Sequence, residues 1–233
     1  MGLLSFLIGD GPVKIACPQQ TTVAPPAQRE WSGRSPSVDP GFSPWSVEHI
    51  LAGQDDLLQR LKLCYGADRN TFEEDLLVPI RNYAEYVNLM PATADNFFCE
   101  VGGLFRVGLE VGFFALQGTD GHIVAGRSTI STRRLLEPRW RLATFLAGLC
   151  AEIHRTLGQT VVTDEQGEVW PAYLGPLTRW LAQRGSKRFF VRWLANAPES
   201  RALGLFALPH VVPARTMAHL AEGNTIAVPQ MLA

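Results

Sequence analysis

Histidine and cysteine are scarce in this chain, and they do not gather. It has five histidines and four cysteines in 233 residues. Cys17, Cys64, Cys99 and Cys150 form no CxxC pair and no close-set Cys/His cluster. A zinc site of the structural kind is therefore not encoded, and reduced thiols are expected. A phosphate loop, a dinucleotide fingerprint and a Ser-His-Asp arrangement are also missing. The formal net charge is -1, which excludes a global pull toward nucleic acid or anionic membrane and leaves only local faces. The apolar residues 3–8 follow no cation and are broken by Gly9, Asp10, Gly11 and Pro12, well short of a membrane span. The reading is a cytoplasmic protein without a targeting segment.

Apolar residue is plentiful. At 46% hydrophobic the chain can bury a full core, and its length fits one domain behind an extended segment. Residues 17–45 are rich in Pro, Ser, Thr, Gln and Gly and cannot bury enough surface to offset their ordering entropy. Within them, Phe42 and Trp45 beside Pro40 and Pro44 can anchor the stretch onto a core. The expected division is an arm or linker over 1–44, a helical domain over 45–222 and a tail over 223–233.

Ser46 is an N-cap candidate for a first helix carrying Val47, Ile50, Leu51, Leu57, Leu58 and Leu61. Thr71 and Glu74 have capping-box spacing, ahead of a stripe through Phe72, Leu76, Ile80, Tyr83, Ala84 and Val87. Pro79 should kink that helix or move its start later, and Pro91 closes it. Residues 102–116, GGLFRVGLEVGFFAL, are apolar on nearly every side, which predicts a buried helix. Gly108 and Gly112 would leave a flat patch where another helix approaches closely. A loop is expected over 117–131, then a helix from Pro138 to about 157 with Trp140, Phe145, Leu146, Leu149 and Ile153 inward. Residues 160–170 read as a hairpin turning at 164–167. Helical periodicity returns at 173–184, 189–194, 199–208 and 216–221. The fold class is mainly α: a helical bundle with one small β-hairpin.

The ordered blocks FSPWSVEHILAGQDDLLQRLK, RNYAEYVNLMPAT, GGLFRVGLEVGFFAL, EPRWRLATFLAGL and VVTDEQGEVWPAYLGPLTRWL resemble the N-terminal domain of TraI-type relaxases of integrating conjugative elements. Those relaxases are built on an HD-hydrolase-like fold, and the similarity covers roughly residues 41–220. The resemblance implies conjugative DNA processing, with histidines and a His-Asp pair holding divalent metal that activates water. In this sequence the family's histidine run falls on Asn96, Phe97 and Phe98, its GGL-helix histidine on Val107, and its His-Asp pair on Ala151 and Glu152. A phenyl ring or a valine cannot coordinate a metal. The expectation is a degenerate site, a pseudoenzyme without cofactor or metal.

Two basic stretches remain. One holds Arg127, Arg133, Arg134, Arg139 and Arg141 against Glu137; the other holds Arg179, Arg184, Lys187, Arg188 and Arg192, interleaved with Trp180, Phe189, Phe190 and Trp193. Cations beside aromatics suit single-stranded nucleic acid. Equally, the aromatics can pack inward while the cations form a solvated face. The acids Asp55, Asp56, Glu73, Glu74, Asp75 and Glu85 lie apart from them and suit self-association, a basic partner or plain solvated helix faces. His154, His210 and His219 read as dipole-stabilising or core-edge residues, and Glu100 and Glu110 as structural. Three functions follow: a relaxase-like domain binding DNA or protein partners of a transfer complex without metal chemistry, a protein-interaction or regulatory module, and an enzyme with a site rebuilt from Asn96, Glu152 and His154. Oligomeric state is not encoded legibly, and no membrane partner is expected.

Overall fold

Two helices whose facing sides are lined with glycine make the centre of the structure. A computed structural model describes residues 41–122, 129–195, 197, 200–222 and 227–232, all within one unit, Asp39–Ala233. Helix α5 (Gly103–Gly118) and helix α6 (Ile130–Cys150) run antiparallel in close contact. A Cβ placed on Gly148 would lie 2.9 Å from the Gly112 Cα, and one on Gly108 would lie 2.5 Å from the Tyr83 ring and 2.8 Å from the Leu149 carbonyl oxygen. The flat patch expected from Gly108 and Gly112 is therefore filled by α6 and by Tyr83.

The other elements wrap this pair. Helix α1 (Val47–Ala52) is capped by Ser46, whose hydroxyl accepts from the His49 N–H. Helix α2 (Asp55–Tyr65) ends on left-handed Gly66 and packs on α5. The next helix starts earlier than the Thr71 capping box suggested. Asp68 caps α3 (Arg69–Phe72), accepting from the N–H groups of Asn70 and Thr71 and from the Thr71 hydroxyl. One carboxylate there satisfies two orphan backbone donors and holds the Thr71 hydroxyl as well. A π-helical turn (Glu73–Leu77) then leads into α4 (Val78–Val87). Pro79 lies just after this π-helical turn, so the helix neither ends nor starts at the proline but runs on through it after a π-helical interruption. Its stripe of Ile80, Tyr83, Ala84 and Val87 is buried.

Several boundaries differ from the sequence reading. Helix α6 starts at Ile130, capped by Thr129, so Pro138 lies inside it instead of opening it. It also stops at Cys150, and a break at Ala151 and Glu152 precedes α7 (Ile153–Gln159). Helix α8 (Leu177–Arg184) begins only after Pro176, because Gly175-Pro176 interrupts the periodicity read from Tyr173. Helix α9 (Ala202–Val211) runs through Pro209, and α10 (Ala214–Ala221) precedes α11 (Ala227–Leu232), a helix within the expected tail that packs on α6 and buries Ala227.

The segment 189–194 read as helix is a strand. Strand β2 (Phe189–Trp193) pairs antiparallel with β1 (Thr160–Asp164), Thr160 opposite Trp193 and Asp164 opposite Phe189. Five residues are too few for periodicity to separate strand from helix, and the β-branched and aromatic FFVRW suits a pleated half-buried surface. The expected turn survives beside it: the Trp170 N–H donates to the Val162 carbonyl at 2.8 Å, and the Asp164 N–H to that of Glu168 at 3.0 Å. The protein is thus mainly α with one small two-stranded antiparallel sheet. Phe42 extends this sheet by bridging to Phe189 and stacking on its ring at 5.3 Å. Among the described residues no helix is long and apolar enough to cross a membrane.

Gly108→Ala should destabilise the fold by roughly 2 kcal/mol despite alanine's better helix propensity, since neither Tyr83 nor the Leu149 backbone can withdraw. Gly118→Ala, with nothing within 4 Å of its Cβ, should be neutral or slightly stabilising. Chemical denaturation of both variants checks the contrast; equal effects would show that the close approach is unimportant.

Candidate functional site

The expected hydrolase positions come from three segments, and the fold brings those segments to one end of the α5–α6 pair. Because the helices are antiparallel and Gly108 faces the Leu149 carbonyl, Val107 lies toward the end of α6 where Ala151 and Glu152 break the helix. The third segment reaches the same end through two hydrogen bonds: Thr156 Oγ1 of α7 donates to the Ala92 carbonyl at 3.3 Å, and the Ala92 N–H donates to the Phe98 carbonyl at 2.9 Å. That carbonyl rests on Gly103, where an added Cβ would lie 2.0 Å away.

The groups presented there are poor metal donors. Val107 and Phe98 are half-buried against the core, and Phe97 is 82% exposed. Asn96 is exposed, and its Oδ1 accepts from the Phe97 N–H at 2.9 Å. The Glu152 carboxylate lies 3.3 Å from the Arg155 guanidinium. Beneath them Tyr83 is fully buried and donates from its hydroxyl to the Leu104 carbonyl at 2.9 Å. Burial holds the phenol far above its ordinary pKa, and the neighbouring Cys150 and Glu152 add to this. Burial also pushes the Cys150 thiol up to about 12, so it is no nucleophile at neutral pH. His154 is half-buried beside Gly204 of α9. Among the described residues no three His, Cys, Asp or Glu side chains are placed to share a metal ion. The donor set does not fit a divalent metal.

The basic stretches separate into internal and external cations. Arg139 is 5% exposed and reaches the Glu222 carbonyl and carboxylate. Arg141 bridges Asp120, Thr119 Oγ1 and the Cys64 carbonyl. Arg184 is held by Asp164 and lies over the Trp180 ring. Arg133 pairs loosely with Glu137 at 3.9 Å, and Arg179 with Glu85 at 3.7 Å. Arg134, Lys187, Arg188 and Arg192 are exposed, and Arg127 lies outside the described residues. Of the interleaved aromatics Phe189 is fully buried, whereas Trp180, Phe190 and Trp193 are half-buried. The stretch near β2 therefore combines both readings: an inward aromatic core edge and an outward cationic rim.

Residues 41–233 match the family TraI_2, described as "Putative helicase". The chain belongs to the TraI_2 family. The match spans nearly everything the structure describes, from the Phe42 bridge to α11. No curated protein matches the chain significantly.

Two residues that organise the site carried little signal in sequence. Asp164 was legible only as a turn residue, yet it is buried and gathers four donors: Arg184 and the N–H groups of Gln166 and Glu168 on its carboxylate, and the Gly167 N–H on its carbonyl. Asn88 is buried with φ 44°, accepting from the Trp45 N–H and donating to the Trp45 carbonyl and to Thr178 Oγ1. Burial by itself would raise the Asp164 pKa; the hydrogen bonds from Arg184 and the two N–H groups outweigh it and hold the pKa below the ordinary value. A carboxyl depressed in the folded state stabilises the fold above its unfolded pKa of about 3.9, and that contribution fades as pH falls through the folded value. Asp164→Asn should thus lower stability by roughly 2 kcal/mol at neutral pH and flatten the acid limb below about pH 4. Denaturation midpoints across pH measure this; an unchanged acid limb would remove Asp164 from the account.

Proposed function

We propose that this TraI_2 chain is a relaxase-related domain of a conjugative DNA-transfer system that binds DNA through the rim of β2 and has lost HD-type metal hydrolysis. The observation that carries the first part is the outward placement of Lys187, Arg188 and Arg192 around a strand whose aromatic partners anchor it rigidly. Cations fixed on a rigid edge neutralise phosphates with little ordering cost. Arg179 on α8 and Arg134 on α6 extend the cationic surface. Phe190 and Trp193 are accessible enough to stack on unpaired bases. The loss of hydrolysis rests on Phe97, Phe98, Val107 and Ala151, which offer no ligand atom, and on Asn96 and Glu152 already engaged with neighbours.

An interaction-module reading is favoured by one observation, the exposure of Leu205 and Phe206 on α9 at 51% and 60%. Nothing among the described residues identifies what would cover them, so DNA binding is the leading reading.

Binding of a labelled single-stranded oligonucleotide should weaken ~20-fold between about 50 and about 200 mM salt if some three phosphates are contacted. A Lys187→Ala, Arg188→Ala, Arg192→Ala triple variant should bind weakly with a shallower salt slope, while circular dichroism stays unchanged. Absent binding at low salt, or binding insensitive to salt and to these substitutions, would overturn the DNA reading. Metal analysis of the purified chain and a manganese-supplemented phosphodiesterase assay should show neither stoichiometric metal nor turnover. Turnover abolished by Glu152→Ala would restore the enzyme reading.

A further inference from the structure

Two adjoining hollows of about 530 and 550 Å³ run along the solvent side of α5. Arg106 and Glu110 line both and join them into one groove. Arg106, Glu110 and Phe114 recur every four residues, so they form a stripe about 12 Å long on one helix face. A phenyl ring stands at each end: Phe97 is 82% exposed and Phe114 59%. Both rings present apolar surface at the mouths of the groove.

Phe97 is held in place by its own loop. Thr93 Oγ1 donates to the Phe97 carbonyl at 2.8 Å, and the Ala92 N–H ties down the following carbonyl. Phe98 adopts φ 62°, a left-handed conformation that costs a residue with a side chain about 1–2 kcal/mol. The fold sustains that strain and, in doing so, turns Phe97 outward on a rigid support.

Charge decides the occupant. Asp55 and Asp56 line one hollow, Asp95 and Glu100 the other, and Glu110 lies between. Two cations stand against these five carboxylates: Arg60, over the Phe113 ring at 4.5 Å, and Arg106, 2.9 Å from Glu110 and 3.9 Å from Glu100. The groove therefore carries a net negative charge, which repels a phosphate backbone and attracts lysine or arginine.

We propose that this groove docks a Lys/Arg-rich segment of a partner protein through two apolar anchors, which rest on Phe97 and Phe114 while its cations meet the flanking carboxylates. This surface is separate from the β2 rim and stands or falls independently of DNA binding. The probe is a labelled synthetic peptide with two leucines about three helical turns apart, a span longer than the Arg106–Phe114 stripe, and flanking lysines, compared with the same peptide carrying glutamates, on the full chain. The lysine peptide should bind, weaken with salt, and lose ~10-fold in affinity on Phe97→Ala and again on the Asp55→Asn, Asp56→Asn double substitution. Phe206→Ala, on α9, should change nothing. Because Phe97 is solvent-exposed, circular dichroism of its variant should match the parent. The proposal is overturned by no binding of the lysine peptide at low salt, by equal binding of the glutamate peptide, or by Phe97→Ala without effect. Competition from an oligonucleotide, or a dimer in sedimentation that Phe97→Ala abolishes, would overturn it in favour of DNA or a second copy.

Discussion

Helices α5 and α6 meet through glycine, with the Gly148 position against the Gly112 Cα and Gly108 against both Tyr83 and the Leu149 carbonyl. Backbones this close leave no room for sliding, because a shift of one residue would bring a side chain into the contact. Everything at the candidate corner inherits its position from that fixed register. Tyr83 fits below Gly108 and from there reaches the Leu104 carbonyl. Gly103, one turn earlier, supports the Phe98 carbonyl and so orients the loop carrying Asn96 and Phe97. The outer face of α5 is left to solvent with Arg106, Glu110 and Phe114.

A chain of nearly zero net charge divides its arginines between two uses. Cations near the core are used as struts: Arg139 fixes the region of Glu222 to α6, Arg141 ties α6 to the ends of α2 and α5, and Arg184 closes the β1 turn. A guanidinium suits this task because its fork can satisfy several acceptors at once. Those side chains are committed internally, so counting arginines in a stretch of sequence overstates the charge offered to a ligand. Of the two arginine-rich stretches, the one around β2 keeps Lys187, Arg188 and Arg192 exposed.

The mainly α fold, the Ser46 cap, the buried stripe of α4 and the glycine patch on α5 were legible because each rests on local periodicity or cap chemistry. Less legible were features set by distant partners. Arg139 reads as a surface cation until Glu222, far along the chain, is placed beside it. Strand β2 looks like a helical turn until β1 and Phe42 supply its ladder. Thr71 competes for the cap with Asp68, whose carboxylate serves more donors. Of the candidate site, the three segments could be named from the sequence and the fold gathers them at one end of the α5–α6 pair. That Phe97 faces solvent follows from the loop with its left-handed turn at Phe98, and Val107 turns to the core through its place on α5.

The clamp on Asn88 has a mechanical meaning. The chain enters the bundle at two fastened points: Phe42, hydrogen-bonded both ways to Phe189, and Trp45, gripped both ways by the Asn88 amide, which also holds Thr178 of α8. Traction applied upstream of Gly41 would meet these bonds before it reached α1, and would spread at once to β2, α4 and α8. The first helix is thereby shielded from peeling, because residues 41–46 are fastened at Phe42 and Trp45.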